Sequence, residues 1–312
     1  MSKFRWVYLA HLGYNMWGDP AVDKNGLRGQ PTTMPQTIAS YKLRFDEDAW
    51  HKITDDLKDA GANTIVLDLG EGVKYDSHPE LAVEGSWSKQ KLYDELLRLR
   101  GMGFEVIPKL NFSACHDYWL GEWAYMLSTK GYYKTVRDLI AETAELFSHP
   151  ELFHIGMDEE TYSHQQNYNY CVIRQGDQWW YDFGIMCEAV EQAGARPWIW
   201  SDYVWHHPEE FYARMSKEVV QSNWYYGAFS PDDRYQGYYN ELAERGFDQI
   251  PTGSNWSYAG NLQKTVEYIK ELPQDNILGI QQTVWYPTLN EKLDRHAGAI
   301  KDLAEARSIF ES

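Results

Sequence analysis

Short apolar runs alternate with amphipathic segments along the whole chain. The clearest amphipathic segment begins at Asp46 and ends at Gly61, and the run TIVLDL follows it. Its apolar residues lie three or four positions apart: Trp50, Ile53, Leu57 and Ala60. This spacing is typical of one face of a helix, and Asp and Gly are common at the start and end of helices. The pattern therefore predicts a helix followed by a buried strand.

The same unit recurs until the end of the chain. A second helix is predicted to begin near Ser88 and to bury Leu92, Leu96 and Leu99 ahead of the next apolar run. Eight runs are predicted to be strands, each followed by a helical segment: WVYLA, TIVLDL, EVIPKL, LFHIG, PWIWS, VVQSN, QIPTG and ILGIQQT. Parallel strands need such helical crossovers, and eight of these units make a (β/α)₈ TIM barrel.

A doubly wound open sheet has the same alternation and is the alternative fold. It is less favoured because no GxGxxG follows the first strand and no change in composition marks a second domain. We therefore expect the α/β class, with a single TIM-barrel catalytic domain over residues 1–312 and no accessory domain. In this fold active sites lie at the carboxyl ends of the strands, where the sequence has long polar and aromatic loops.

The composition and charge exclude several classes of protein. With 43% hydrophobic and 24% charged residues the sequence is typical of a globular protein, and it has no apolar stretch of about 18 residues to cross a bilayer. Its net charge of −17 repels phosphate backbones and anionic lipids, so neither nucleic acid nor a membrane is an expected partner. The amino terminus lacks an apolar signal-peptide core, and Cys115, Cys171 and Cys187 show no CxxC spacing. Both observations favour a cytoplasmic protein.

Aromatic residues make up 15% of the chain, with 14 Trp and 23 Tyr. Many of them stand among polar residues, as in GYNMWGD, DYWLGEWAY and NWYYG. Aromatic faces beside hydrogen-bonding groups suit sugar rings, so a carbohydrate is the expected ligand. The alternative interpretation is that these rings fill a large core.

The sharpest chemical signal is the segment HIGMDEE, residues 154–160, at the end of the predicted fourth strand. Adjacent residues of a strand point to opposite faces, so Asp158 and Glu159 can serve one pocket only where the strand has ended. There, two carboxylates are suited to acid and base catalysis. The alternative is a solvated acidic turn that caps the next helix and includes Glu160.

This segment resembles the family 20 glycoside hydrolases, the β-N-acetylhexosaminidases, whose fourth strand ends in H-x-G-G-D-E. The stretches GANTIVLDL, GFEVIPKLNFSACH, PWIWSD, VVQSNW and GIQQTVW are similar to the family at other strands. The resemblance implies a TIM barrel that removes a β-linked 2-acetamido-2-deoxyhexose, GlcNAc or GalNAc, by substrate-assisted retaining catalysis. It implies that Asp158 holds the acetamido group and that Glu159 is the general acid and base. No cofactor or catalytic metal is expected.

The resemblance also implies further site residues. His116, with Asp68 or Glu71, would tune the acid/base, although His116 is alternatively an ordinary loop histidine. Trp200, Trp224 and Trp285 end three strands, where the family's tryptophans enclose the acetamido methyl and the sugar face. The remaining substrate-binding candidates are Trp256 and Tyr258 after the seventh strand, Asp202 after the fifth, and His11, which stands where the family has a sugar-binding arginine.

Departures from the family leave other functions open. Lys109 stands where the family usually has an acid, and Tyr286 and Pro287 stand where a hydroxyl-binding Glu is expected. A non-catalytic carbohydrate-binding barrel is therefore one alternative. A glycosidase of another class, which would pair Asp158 or Glu159 with Asp202, is a second alternative. A metal hydrolase is disfavoured because the sequence lacks HExxH and an HxH pair on the first strand.

Overall fold

Eight parallel strands form the centre of the fold in the computed structural model, which describes residues 4–17, 37–161, 174–230 and 233–312. Each strand coincides with one of the predicted apolar runs. Their bounds are β1 Arg5–His11, β2 Thr64–Asp68, β3 Glu105–Lys109, β4 Leu152–His154, β5 Arg196–Trp200, β6 Val220–Ser222, β7 Thr252–Ser254 and β8 Gly279–Thr283. Nearly every strand residue is buried, because helices cover one face of the sheet and the strands enclose the other.

The sheet closes into a barrel. Its strand order is β6-β5-β4-β3-β2-β1-β8-β7, with β1 paired to β2 and to β8. The two outer strands, β6 and β7, meet through parallel bridges outside the regular ladders, Gln221 with Gln249 and Trp224 with Thr252. Ile250 N–H donates to the carbonyl of Gln221 over 2.9 Å, which completes the ring. The predicted (β/α)₈ TIM barrel is confirmed.

Helices follow the strands as the sequence predicts. The α-helices are α1 Glu47–Asp59, α2 Lys89–Gly101, α3 Lys130–Leu146, α4 Asp177–Gln192, α5 Tyr203–His206, α6 Pro208–Arg214, α7 Arg234–Glu244, α8 Asn261–Ile269 and α9 Leu293–Glu311. Short 3₁₀ helices lie at Gly70–Gly72, Pro79–Leu81, Tyr118–Met126 and Asn290–Lys292. Within the described ranges, none of the helices combines the length and the hydrophobicity that a membrane crossing requires.

Of the two helix caps that the sequence predicts, one is formed and the other is not. The Ser88 hydroxyl accepts the N–H of Lys91 over 3.2 Å, so Ser88 caps α2 as expected. Asp46 precedes α1, but its side chain makes no cap hydrogen bond. Its carboxylate instead accepts the backbone N–H of Asn290 over 2.8 Å, near the start of α9. A contact with a distant loop has therefore replaced the expected cap.

The inside of the barrel combines apolar packing with a buried charge pair. Val7, Leu9, Val66, Ile107 and Trp198 belong to an apolar cluster of buried residues that is separate from the larger cluster containing the helix residues. A second group lies near the strand ends: Lys109 Nζ is 2.5 Å from Asp68 Oδ2, and His11 Nδ1 is 3.3 Å from the same oxygen. Burial opposes ionisation of Asp68, but Lys109 and His11 lower its pKa overall.

The cysteines form no disulfide in the part of the chain that the structure describes. Cys115 and Cys187 are free, and Cys171 lies outside the described residues.

Candidate active site

An unusual backbone turn brings Asp158 and Glu159 to the same cavity. β4 ends at His154, and the chain then adopts positive φ angles at Gly156 (78°), Met157 (79°) and Glu159 (58°). A non-glycine residue in this region is strained, and such strain is often found at functional sites. A Cβ at Gly156 would lie 1.8 Å from Asn111 Oδ1, so only glycine fits there. Because the strand has ended and the backbone turns here, Asp158 and Glu159 do not point to opposite faces of the sheet, and both side chains reach the same cavity.

Asp158 is buried among groups that favour its ionised form. Asn111 Nδ2 donates to Oδ1 over 3.0 Å, and His116 Nδ1 is 3.1 Å from Oδ2. The hydroxyl of Ser113 donates to the backbone carbonyl of Asp158 and fixes the turn. Burial by itself raises the pKa of Asp158, but the charge and hydrogen bond of His116, followed by Lys109 and Asn111, hold it well below its usual range. Asp158 is therefore a carboxylate at neutral pH.

Glu159 is the more accessible of the two acids. Its side chain is 33% exposed, whereas that of Asp158 is 9% exposed. Glu159 Oε2 lies 3.2 Å from His116 Nε2, and its backbone N–H donates to Asp202 Oδ2 over 2.7 Å. A group that exchanges protons with a substrate must be within its reach, and Glu159 fulfils this requirement.

His116 bridges the two acids, and it is not an isolated loop histidine. Its ring is 2% exposed, with Nδ1 toward Asp158 and Nε2 toward Glu159. Burial lowers the pKa of His116, but the charges and hydrogen bonds of Asp158 and Glu159 outweigh burial and raise it to about 10. Both ring nitrogens face carboxylate oxygens, an arrangement that favours the imidazolium form at neutral pH.

The same three residues offer atoms within 4.8 Å of one another, which is close enough to hold a metal ion. A metal ion would have to displace a proton from His116, and the raised pKa of His116 opposes that exchange. The arrangement therefore fits an ion-paired dyad bridged by histidine better than it fits a metal site.

Asp202 does not line the cavity, but its carboxyl group is hydrogen bonded to two residues that do. Its Oδ2 accepts the N–H of Glu159, and its Oδ1 accepts the indole N–H of Trp224 over 3.2 Å. Burial and the negative charge of Asp158 raise the pKa of Asp202 to about 8. A carboxyl group that is protonated at neutral pH and engaged with backbone and indole donors is poorly suited to act as a nucleophile.

Aromatic side chains form most of the cavity wall. The cavity has a volume of about 700 Å³, and Asp158, Glu159 and His116 line one side of it. All four tryptophans predicted for the site line it: Trp200, Trp224, Trp256 and Trp285. The rings of Trp200 and Trp285 are 5.9 Å apart, and Trp285 has a positive φ of 51°. A pocket of this kind presents flat apolar faces beside two carboxyl groups.

Sequence reasoning missed five other aromatic residues of the wall. They are Trp17, Trp205, Tyr225, Tyr226 and Tyr235. Tyr225 and Tyr226 belong to the NWYYG segment, and Trp17 to GYNMWGD, so the aromatic residues among polar neighbours were a usable signal. The rings of Trp224 and Tyr226 are 5.0 Å apart, which links a predicted residue with a missed one.

Five predicted site residues do not line the cavity: Asp202, described above, and His11, Asp68, Glu71 and Tyr258. His11 and Asp68 are buried in the barrel with Lys109, so the expected partnership of Asp68 with His116 is not formed. The carboxylate of Glu71 is buried and accepts the backbone N–H groups of Tyr14 and Asn15 over 2.8 and 3.1 Å. Tyr258 is 46% exposed. Among the described residues, His116 has Asp158 and Glu159 as its ionic partners, in place of the acids of the second strand.

Comparisons with known proteins detect similarity in structure but not in sequence. No family model matches the chain, and no curated protein matches it. The fold is similar to a β-N-acetylhexosaminidase from Bacteroides fragilis, with a TM-score of 0.66 and 14% identity over 97% of this chain and 65% of that chain. It is also similar to an exo β-N-acetylglucosaminidase from Vibrio harveyi, with a TM-score of 0.62 and 15% identity over 97% of this chain and 54% of that one.

A third similar structure is the chitobiase of Flavobacterium johnsoniae, with a TM-score of 0.61 and 16% identity over 86% of this chain and 48% of that chain. This chain therefore spans about half the length of several of the structures it matches. The Flavobacterium johnsoniae and Vibrio harveyi enzymes are glycoside hydrolases of family 20, so the resemblance at the HIGMDE segment extends to the fold of the described barrel. The chain has the fold of a family 20 glycoside hydrolase barrel, at a distant level of similarity.

Proposed function

We propose that this chain is a glycosidase that removes a β-linked 2-acetamido-2-deoxyhexose, GlcNAc or GalNAc, with the substrate's own acetamido group as the nucleophile. The observation that carries the proposal is the position of buried His116 between Asp158 and Glu159, in a cavity walled by tryptophan. The similarity in fold to hexosaminidase barrels supports it.

The first step is attack within the substrate. The sugar ring stacks on the tryptophan faces, and the acetamido N–H donates to ionised Asp158. The acetamido oxygen then attacks the anomeric carbon, and positive charge develops on the ring and on the acetamido nitrogen. Asp158 stabilises this charge because it stays ionised, with His116 3.1 Å away as its ion-pair partner and Asn111 as a hydrogen-bond donor.

Glu159 handles the proton in both halves of the reaction. In its protonated form, Glu159 donates its proton to the glycosidic oxygen as the bond to the anomeric carbon breaks, which leaves an oxazolinium ion and a free alcohol. The carboxylate that results is stabilised by the N–H of His116 at 3.2 Å. Glu159 then takes a proton from water as that water attacks the anomeric carbon and reopens the oxazolinium with retention.

The alternatives are less well supported. A glycosidase with a carboxylate nucleophile needs a second ionised acid, and Asp202 has a pKa raised to about 8 and accepts two N–H donors. A purely binding barrel has no need for two acids held by a buried imidazolium. Sugar binding alone would be served by the aromatic wall.

A panel of aryl β-glycosides, with and without a 2-acetamido group, tests the proposal. We expect hydrolysis of the GlcNAc or GalNAc glycoside and at least about a hundred-fold slower hydrolysis of the matching glucoside or galactoside. Comparable rates on both would favour a carboxylate nucleophile. Binding of N-acetylhexosamine without hydrolysis of any member of the panel would favour the non-catalytic barrel.

A further inference from the structure

Behind the acid pair, a buried arginine joins three elements of the fold. Arg174 is 1% exposed, yet its guanidinium has a polar partner on every nitrogen. Nε and Nη2 contact the two carboxylate oxygens of Glu160 over 2.9 and 2.5 Å. Nη2 also donates to the carbonyl of Phe112 over 2.6 Å, and Nη1 lies 3.3 Å from Asp182 on α4. This is the fork geometry that a guanidinium offers and an ammonium does not.

These contacts connect the two loops that carry the acid/base machinery. Glu160 directly follows Glu159 in the loop after β4. Its Oε1 also accepts the backbone N–H of Ala114 over 2.8 Å, in the loop after β3 that carries His116. Arg174 therefore holds the β3 loop at Phe112 and the β4 loop at Glu160 at the same time.

The charges in this group make it a rigid connection. Burial by itself lowers the pKa of Arg174, but the charge and hydrogen bonds of Glu160, together with Tyr132 and Asp182, outweigh burial and raise it well above its usual value. Breaking one side of such a buried pair leaves an uncompensated buried charge, which is strongly destabilising. The two loops are thus held together by an interaction that resists local opening.

We propose that the Arg174–Glu160 pair is the positioning element of the acid/base: it holds the loop of Glu159 against the loop of His116 and so sets the contact between their side chains. This inference rests on the proposed function. Neither Arg174 nor Glu160 lines the cavity. Both act through Glu159 and His116.

A positioning role has a kinetic signature that loss of folding lacks. If Glu159 is displaced, protonation of the leaving group suffers, and substrates with poor leaving groups are affected most. Attack by the acetamido group and stacking of the sugar are then largely preserved, so KM changes little. A smaller fraction of folded protein would instead reduce the rates on all substrates by the same factor.

The test compares wild type with Arg174→Lys and Glu160→Gln on two 2-acetamido aryl glycosides, one with a nitrophenyl and one with an unsubstituted phenyl leaving group. We expect kcat to fall at least about ten-fold more on the phenyl substrate, with KM within about two-fold. Arg5→Lys is the matched control, because Arg5 is 4% exposed and contacts Glu105 and Glu151 at the amino end of the barrel strands. It should change both rates equally, whatever it does to stability.

Combination with a second substitution tests whether Arg174 acts through Glu159. In a Glu159→Gln background, Arg174→Lys should slow the residual hydrolysis by no more than about two-fold. The inference would be overturned if the rate reductions caused by Arg174→Lys and Glu159→Gln were fully additive in free energy. It would also be overturned if Arg174→Lys reduced the rates on the two substrates equally.

A readout without turnover separates this inference from the proposed function. The ring N–H signals of His116 in NMR spectra report its contacts with the acids, and its pKa is raised to about 10 in the intact protein. Arg174→Lys should lower that pKa, and Arg5→Lys should leave it unchanged. If wild type hydrolyses no acetamido glycoside, the proposed function fails, while the NMR comparison still decides the positioning role. An unchanged His116 titration in Arg174→Lys and in Glu160→Gln would contradict it.

Discussion

The two sides of the barrel mouth are built from different chemistry. The side formed by the loops after β3 and β4 carries His116, Asp158 and Glu159, with Asp202 after β5 behind them. The side formed after β6, β7 and β8 carries Trp224, Tyr226, Trp256 and Trp285. Fixed charges suit a transition state in which charge develops, and flat apolar faces suit a neutral sugar ring. Under the proposed function, the first side carries out the chemical step and the second side binds the sugar.

Substitution of the acid gives the largest effect expected from the charged side. Glu159→Gln removes the proton donor and keeps the shape of the side chain, so kcat on a poor leaving group should fall about 10²–10⁴-fold. An activated leaving group should suffer less. Glu122→Gln, at an exposed position in the 3₁₀ helix Tyr118–Met126, is the control and should leave both rates unchanged. If Glu159→Gln stays within a few-fold of wild type on both substrates, the charged side has been wrongly assigned.

Asp158→Asn should have the next largest effect. It removes the carboxylate that faces the charge on the acetamido nitrogen, so a thiazoline that imitates the bicyclic intermediate should bind about a hundred-fold more weakly. Binding of unmodified N-acetylhexosamine should weaken much less, because that ligand is uncharged. Isothermal titration of both ligands measures the difference. Equal losses for the two ligands would mean that Asp158 contributes only general affinity.

Substitutions on the aromatic side should weaken sugar binding more than they reduce turnover. Trp224→Leu removes a stacking face and should raise KM and the dissociation constant of N-acetylhexosamine about five- to ten-fold, with a smaller change in kcat. Trp198→Leu is the control, because Trp198 is fully buried inside the barrel and does not line the cavity. It should lower the melting temperature more than it lowers affinity. If Trp198→Leu weakened sugar binding more than Trp224→Leu, the aromatic side would not be the binding side.

The smallest effect concerns stability as a function of pH. The folded-state pKa of His116 is raised to about 10 from 6.5, so its contribution is complete below pH 6.5 and is lost as the pH rises toward 10. The pKa values of the Asp117 and Asp202 carboxyls are raised from 3.8 to about 8. They also make the free energy of unfolding fall as the pH rises, but mostly below pH 8. Between pH 8 and 10, the free energy of unfolding of wild type should therefore fall more steeply than that of His116→Asn. Chemical denaturation at several pH values measures this, and parallel curves would contradict the buried imidazolium.

The strands and the acid pair were predictable because their signals are local. Each strand lies in a short apolar run, which in β2, β3, β5 and β7 follows a helix and a glycine, and HIGMDE stands at the end of one such run. The tryptophans at strand ends were found for the same reason. These predictions of site residues rely on the rule that the active site of a TIM barrel lies at the carboxyl ends of its strands.

The partners of these residues were not predictable, because they depend on contacts between distant segments. Asp68 was expected near His116, but Lys109, which follows 41 positions later on the neighbouring strand, binds it instead. Glu160 looked like part of an acidic turn, and its buried partner Arg174 follows only after another 14 positions. Neither spacing has a local periodicity, so only the packed fold brings these charges together.

The most direct measurement of the central claim uses aryl 2-acetamido glycosides whose acetyl methyl carries zero, one, two or three fluorine atoms. Fluorine withdraws electrons from the acetamido oxygen and weakens it as a nucleophile without changing the leaving group. If that oxygen attacks the anomeric carbon beside Asp158, kcat should fall with each fluorine, by at least about a hundred-fold over the series, or about 2.7 kcal/mol in activation free energy. Rates that do not depend on the number of fluorine atoms would contradict substrate-assisted catalysis in this barrel.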